Sequence, residues 1–286
     1  MIGQYQDGLD VTNPDVTTPE EIAAYRAEYT GSNKGLIESF EFWLEFRPDV
    51  LKRHKARTRH FSSVEVPTSH LVQILTAIHQ YTIMGFREGI AYEIRLAQNL
   101  GATRADILDT LSVAFIHSGH RGMYAAAAYA DYLRDYADPP EAERFPAGWA
   151  HDPRAFHSGM DHSSREATDE DMERLRAWYL DTVGEIPRHV EFLARHRPGL
   201  LKAYRDRYEH AIRDSLPKQM LPYLLLNYSV VRGFREGIRE NVLLGRAMGM
   251  RREQLLDAIC FAVLHAGVNA LDVADEAAGD LLATVE

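Results

Sequence analysis

The chain has 286 residues, 45% of them hydrophobic, enough to bury one large core or two smaller ones. Its formal charge of -10 and its lack of any dense run of Lys and Arg exclude a nucleic-acid partner, because phosphate binding needs clustered cations. The single cysteine, Cys260, excludes intrachain disulfides, Cys-x-x-Cys redox chemistry and zinc-thiolate clusters.

Residues 1–16 are rich in Asp, Asn, Gly and Pro and read as an irregular arm. They carry neither the basic n-region nor the apolar h-region of a secretion signal. No apolar run approaches the roughly 18 to 20 residues that span a bilayer, so a cytoplasmic protein without membrane contact is expected. Thr18-Pro19-Glu20-Glu21 combines an N-cap candidate, a proline at the first helical position and an acid at the capping-box position, which predicts a helix start. Thr168-Asp169-Glu170-Asp171 presents the same signal 150 residues later.

The offset of 150 also pairs Tyr29 with Tyr179, Phe42 with Phe192, Arg47-Pro48 with Arg197-Pro198, Lys52 with Lys202, Arg57 with Arg207, His60 with His210 and Pro67 with Pro217. Thr68 to His70 then face only Lys218, and the offset becomes 148. In that register Gly85-Phe86-Arg87-Glu88-Gly89-Ile90 recurs letter for letter as Gly233-Phe234-Arg235-Glu236-Gly237-Ile238. Arg104, Asp109 and His117 likewise meet Arg252, Asp257 and His265. Two homologous units follow, residues 17–136 and 167–286, after an arm of 1–16.

Between them, residues 137–166 are rich in Pro, Gly, Ser and His without a sustained period and read as a linker. Phe145, Trp149 and Phe156 suggest that it packs on the body of the protein, and a loop this long is often a lid or binding loop. His151, His157 and His162 in it have no regular ligand spacing.

Inside each unit the periodicity is helical. Ile107, Leu111, Ala114 and Phe115 fall on one face, as do Leu255, Ile259, Ala262 and Val263, while residues 71–84 and 221–231 are mostly apolar around the whole circumference, as expected of a buried central helix. The expected fold is all-α, two repeats of about five helices.

Gly85 and Gly233 predict breaks between helices. The residues after them fall in a first turn, where unpaired N–H groups and the helix dipole favour the carboxylate of Glu88 or Glu236, or an anionic ligand. Arg87 and Arg235 could hold a substrate carboxylate in bidentate fashion. Equally, Glu88 could cap its helix while Arg87 pairs with a neighbouring acid. One turn on come Tyr92 and Glu93, replaced in the second unit by Glu240 and Asn241. His117 and His265 close apolar helices beside small residues, where imidazole can give or take a proton or, alternatively, bond the last carbonyls. His120 and His79 have no ionisable counterpart, facing Val268 and Asn227, so the first unit is the richer in ionisable groups. Glu88, Glu93, His117 and His120 suit a divalent metal by type, but no Glu-x-x-His accompanies them, and neither metal nor cofactor is expected.

Ala97-Gln98-Asn99-Leu100-Gly101-Ala102-Thr103, Asp106-Ile107-Leu108-Asp109 and Ser118-Gly119 resemble the carboxymuconolactone decarboxylase and AhpD-like superfamily, and Gly245 to Gly249 with Leu255 to Gly267 match it more loosely. The resemblance covers perhaps half the chain. It implies a helical fold that assembles into homo-oligomers, here a dimer or trimer. Counting back from Gly101, the family's two cysteines fall on Phe86 and Gly89 and its histidine on Glu93; in the second unit they fall on Phe234, Gly237 and Asn241. Without the thiols, peroxidase activity does not carry over. The expectation is a cofactor-independent decarboxylase or isomerase for a small carboxylated or aromatic-derived metabolite. In it Glu93, His117 and Glu88 are catalytic, and Arg87, Tyr92, His79, His120, Arg235, Glu236 and His265 bind substrate. A non-catalytic binding or assembly protein on the same fold and a metal-dependent enzyme are the alternatives.

Overall fold

A computed structural model describes residues 5–6, 8–13, 16–31, 38–58, 68–140 and 144–285. His60 and Pro67, paired above with His210 and Pro217, lie outside the described residues, as does the side chain of Arg57. The fold is all-α. Among the described residues its one departure is in the arm, where β1 (Tyr5–Gln6) and β2 (Leu9–Asp10) form a short antiparallel pair around Gly8, whose φ of 82° suits glycine. The arm is tied down, because Leu9 is fully buried against Tyr25, Tyr29, Leu44 and Leu51.

The first half then runs α1 (Pro19–Gly31), α2 (Glu38–Phe46), α3 (Pro48–Thr58), α4 (His70–Met84), α5 (Arg87–Asn99), α6 (Arg104–Ser118), α7 (His120–Ala127) and α8 (Ala130–Arg134). After a 3-10 turn (Pro153–Phe156) come α9 (Asp169–Thr182), α10 (Arg188–His196), α11 (Pro198–Glu209), α12 (Met220–Val231), α13 (Arg235–Ala247), α14 (Arg252–Phe261), α15 (Val263–Ala266) and α16 (Ala270–Leu282). Both anticipated capping boxes form. The Thr18 hydroxyl accepts the Glu21 N–H at 3.2 Å and the Glu21 carboxylate accepts the Thr18 N–H at 2.9 Å; Thr168 and Asp171 do the same, both at 3.1 Å. Each box acid also receives a buried ammonium. Lys52 reaches Glu21 at 2.7 Å, and Lys202 reaches Asp171 at 2.7 Å.

α4 and α12 are buried on nearly every side, as their mostly apolar circumference leads one to expect, and they pack on each other at the centre. Around α4 lie α5, α6 and α7; around α12 lie α13, α14 and α16. One continuous core runs from Leu71 to Leu282, and the polar contact between Gln80 and Asn227, 2.8 Å, lies buried inside it. The segment between the halves belongs to this core. Phe156 and Met160 are buried in it, and the Ala150 carbonyl accepts the Lys218 N–H at 2.9 Å. None of the segment's histidines gathers ligands, and among the described residues no group of three His, Cys, Asp or Glu side chains could hold a metal. His162 instead faces Glu209 at 3.1 Å.

The halves interlock through reciprocal ties. Asp109 on α6 accepts the backbone N–H groups of Asp214 and Ser215 at 3.1 and 3.0 Å, beyond α11. Asp257 on α14 reaches the other way, accepting from Thr68 and, at 3.3 Å, from Gln73. Among the described residues no helix is long and apolar enough to cross a membrane.

Candidate functional site

The repeated hexapeptide is a helix-to-helix corner. Gly85 takes φ 74° and ψ 22° at the end of α4, and the N–H groups of Gly85 and Phe86 return to the Thr82 and Tyr81 carbonyls at 3.1 and 2.9 Å, a Schellman closure that needs glycine. Gly233, φ 60°, and Phe234 repeat it with Val230 and Ser229 at 3.0 and 2.9 Å. The Phe86 ring folds back onto α5, where a Cβ on Gly89 would stand 2.5 Å from it and 2.7 Å from the Tyr81 ring. Phe234 covers Gly237 in the same way, and Ile90 and Ile238 are fully buried. Glycine, phenylalanine, glycine and isoleucine are thus all accounted for by the corner.

The Arg-Glu pair inside it faces solvent. Arg87 and Glu88 are exposed, and with Arg95 their charges act on Tyr129. At 3.6 residues per turn, positions 87, 88 and 95 share one face of α5, and Gly89, Glu93 and Ala97 another. In the second half Arg235 pairs with Glu276, and Glu236 lies 3.4 Å from Arg188. Helix phase turns outward the side chains of Arg87, Arg235 and Glu236, expected to bind substrate, and of Glu88, expected to transfer a proton, and all four are exposed. His120 is also exposed, its ring 5.9 Å from that of Tyr124.

Glu93 points inward. Its carboxyl is buried, and Oε2 has no hydrogen-bond partner among the described residues. Burial raises its pKa to about 8, opposed only by the positive field of Lys55. Around it stand Tyr81, whose hydroxyl is pushed up by burial and then by Glu93 and Tyr92, and a stack in which the Tyr92 and Tyr29 rings lie 6.0 Å apart. The Lys55 ammonium donates to the Tyr29 hydroxyl at 2.6 Å and sits 4.5 Å from the centre of the Phe40 ring. The imidazole of this cluster comes from the other half. His265 meets the Tyr81 ring edge-on at 5.4 Å, its Nδ1 has no partner among the described residues, and burial lowers its pKa to about 4.

His117 crosses in the opposite direction. Its Nδ1 lies 3.4 Å from the Tyr204 hydroxyl, its ring stands edge-on to Tyr208 at 6.2 Å, and Nε2 has no partner among the described residues. Burial, then His189, lowers its pKa to about 4. The carboxyl of this second cluster is Glu240, pushed up to about 7 by burial against the opposing field of Arg205, with His189 at 4.0 Å. His79, fully buried on α4, meets Tyr228 of α12 edge-on at 6.3 Å. Among the described residues nothing joins Glu93 to His117 directly. The acid and the base expected to work as a pair belong to separate clusters, each completed by the opposite half.

Sequence reasoning missed Lys55, Tyr81, Tyr204 and Glu240. A signal for the first was present. Lys55 stands 150 positions before Arg205, and each base meets the hydroxyl of the matched pair Tyr29 and Tyr179, at 2.6 and 3.5 Å. Tyr81 and Tyr204 carry no such signal, since only tertiary packing brings them to a carboxyl or an imidazole. Comparison with protein-family models, with curated proteins and with solved structures returned no match.

Proposed function

We propose that the protein is a cofactor-independent acid–base enzyme, a decarboxylase or isomerase of a small carboxylated metabolite, working at the Glu93 cluster. The observation that carries this reading is a buried carboxyl with one unpartnered oxygen, beside the Tyr81 hydroxyl and within the field of Lys55. A buried oxygen left so is a place where a ligand atom or a water can complete the hydrogen bonding. With a pKa near 8, Glu93 carries its proton at neutral pH and can deliver it.

In a decarboxylation the bond between the carboxylate carbon and its α-carbon breaks. Carbon dioxide leaves, and the electron pair moves into the neighbouring carbonyl as an enolate. The Lys55 ammonium stabilises the oxyanion, Glu93 protonates the α-carbon, and the resulting carboxylate regains a proton from water before the next turnover. In an isomerisation the same group takes a proton from one carbon and returns it to another. The resemblance to the carboxymuconolactone decarboxylase and AhpD-like superfamily supports this reading, and so does the parallel order of α4 to α6 and α12 to α14, which fits a duplicated helical unit.

The test is to incubate the purified protein with carboxymuconolactone-type lactones and with β-keto and vinylogous acids while following carbon dioxide release and ultraviolet absorbance. Turnover of at least one substrate is expected, falling by about a hundredfold or more in Glu93→Gln. Absence of turnover across the panel would remove the decarboxylase. One observation favours a second reading, a binding or assembly protein: the Phe86 ring closes the positions where the family's thiols would stand. Retained biological function in Glu93→Gln and Lys55→Met together would select it.

A further inference from the structure

We propose that the outer face of α2 docks on the outer face of α10 in a second copy of this chain. The two helices are equivalents. They span the same positions of their halves, Glu38–Phe46 and Arg188–His196, at the offset of 150. They are also set alike. Leu44 of α2 and Val190 of α10 are buried, and each helix is tied back to its own half by one ion pair, Glu41 to Arg26 at 2.8 Å and Glu191 to Arg176 at 2.9 Å. The same offset relates those two pairs, so both helices turn the same positions to solvent.

At about 3.6 residues per turn, positions 38, 42 and 45 share one face of α2, and 188, 192 and 195 the matching face of α10. On α2 the Phe42 ring, 54% exposed, stands between two exposed acids, Glu38 and Glu45. On α10 the Phe192 ring, 62% exposed, stands between two exposed arginines, Arg188 and Arg195. A second ring leans on each phenylalanine, Phe46 on Phe42 at 5.1 Å and His196 on Phe192 at 4.9 Å. The apolar centre has thus been kept in both halves while the flanking charge has changed sign.

That reversal selects the occupant. Two α2 faces brought together would oppose carboxylates, and two α10 faces would oppose guanidinium groups. An α2 face on an α10 face instead sets ring against ring and each acid against an arginine, in either helix direction. Such complementarity steers the encounter and disfavours the like-charged pairings. An anionic lipid surface would meet the acids of α2. A second copy carries both faces, and so supplies each with its complement. Arg188 has a partner already, Glu236 at 3.4 Å, but with the arginine side chain 89% exposed that pair is weak and easily displaced. Two copies about a two-fold axis make the contact twice and a ring makes it once per copy, so a dimer and a trimer both satisfy it.

The test measures the molar mass of the full chain by sedimentation at about 10 to 100 µM and low ionic strength, for the wild type and for two doubly reversed chains. One carries Glu38→Arg with Glu45→Arg, the other Arg188→Glu with Arg195→Glu. The wild type should associate and each reversed chain alone should be a monomer. An equimolar mixture of the two should associate again, because the reversed α2 of one meets the reversed α10 of the other. Phe42→Ala and Phe192→Ala should each weaken wild-type association by at least about tenfold, through the apolar area no longer buried. The proposal is overturned if the wild type is a monomer throughout, if either reversed chain alone associates as the wild type does, or if the mixture stays monomeric. Should a reversed chain fail to fold, the phenylalanine variants decide, and unchanged association in both overturns the proposal.

Discussion

Replacing Glu93 by glutamine keeps the shape of a buried side chain and removes its titration, which makes the carboxyl's environment measurable through stability. In the folded chain burial lifts this group from 4.5 to about 8. Between those values the native state holds a proton that the unfolded chain has released, so stability present at low pH is lost as pH rises, by about 1.4 kcal/mol per pH unit, and levels off above about 8. From about pH 5.5 to 7.5 that loss comes to about 2.5 kcal/mol in the wild type and is absent from Glu93→Gln. Urea unfolding of both proteins at about pH 5.5, 6.5 and 7.5, followed by far-ultraviolet circular dichroism, gives the stability gap at each pH, and every other titrating group cancels in the difference. The gap should widen toward high pH in favour of the variant. A gap that stays constant would mean that Glu93 ionises like a solvated carboxylate, and the buried acid would have to be abandoned.

Gly89→Ala should destabilise by about 1 to 3 kcal/mol, because the new Cβ meets both the Phe86 and Tyr81 rings, whereas Gly199→Ala, with open space at the same test, should stabilise α11 by about 0.5 kcal/mol; thermal melts of the pair check this. Lys202→Met strands the Asp171 carboxylate and should cost about 3 to 5 kcal/mol near pH 7. Burial alone would raise the Asp171 pKa, but Lys202 and backbone N–H groups hold it far below the usual range, so that stability is present above about pH 4 and lost as pH falls further. The cost of Lys202→Met should accordingly shrink in acid, as unfolding at about pH 3 and 7 will show. Asp109→Ala leaves the N–H groups of Asp214 and Ser215 without their acceptor and should cost about 1 to 3 kcal/mol, with faster hydrogen exchange at those amides.

Much of the local structure was legible from residue types. Thr18 and Thr168 announced their helices because a capping box is a contact between neighbours in sequence, and the closing glycines announced helix ends because only glycine accepts the positive φ found at Gly85, Gly101, Gly119 and their counterparts. The site was less legible. The six repeated letters drew attention to Arg87 and Glu88, yet what they preserve is a corner that needs glycine, phenylalanine and isoleucine, with the charged pair carried on the outer face. Glu93 was found through its register in the family pattern, and its burial follows from sharing a helix face with Gly89 and Ala97. The pairing of Glu93 with His117 failed for a reason that no periodicity contains. α4 and α12 meet face to face, and this meeting carries the end of α6 and the short α15 across to the opposite half.

Position along the chain is therefore a poor guide to which cluster a substitution alters. His117 lies 87 residues before Tyr204 and serves it, while His265 answers to Tyr81, far upstream. A deletion series or a swap of one half would remove the imidazole that packs into the cluster left intact. Both clusters are completed where the two halves meet.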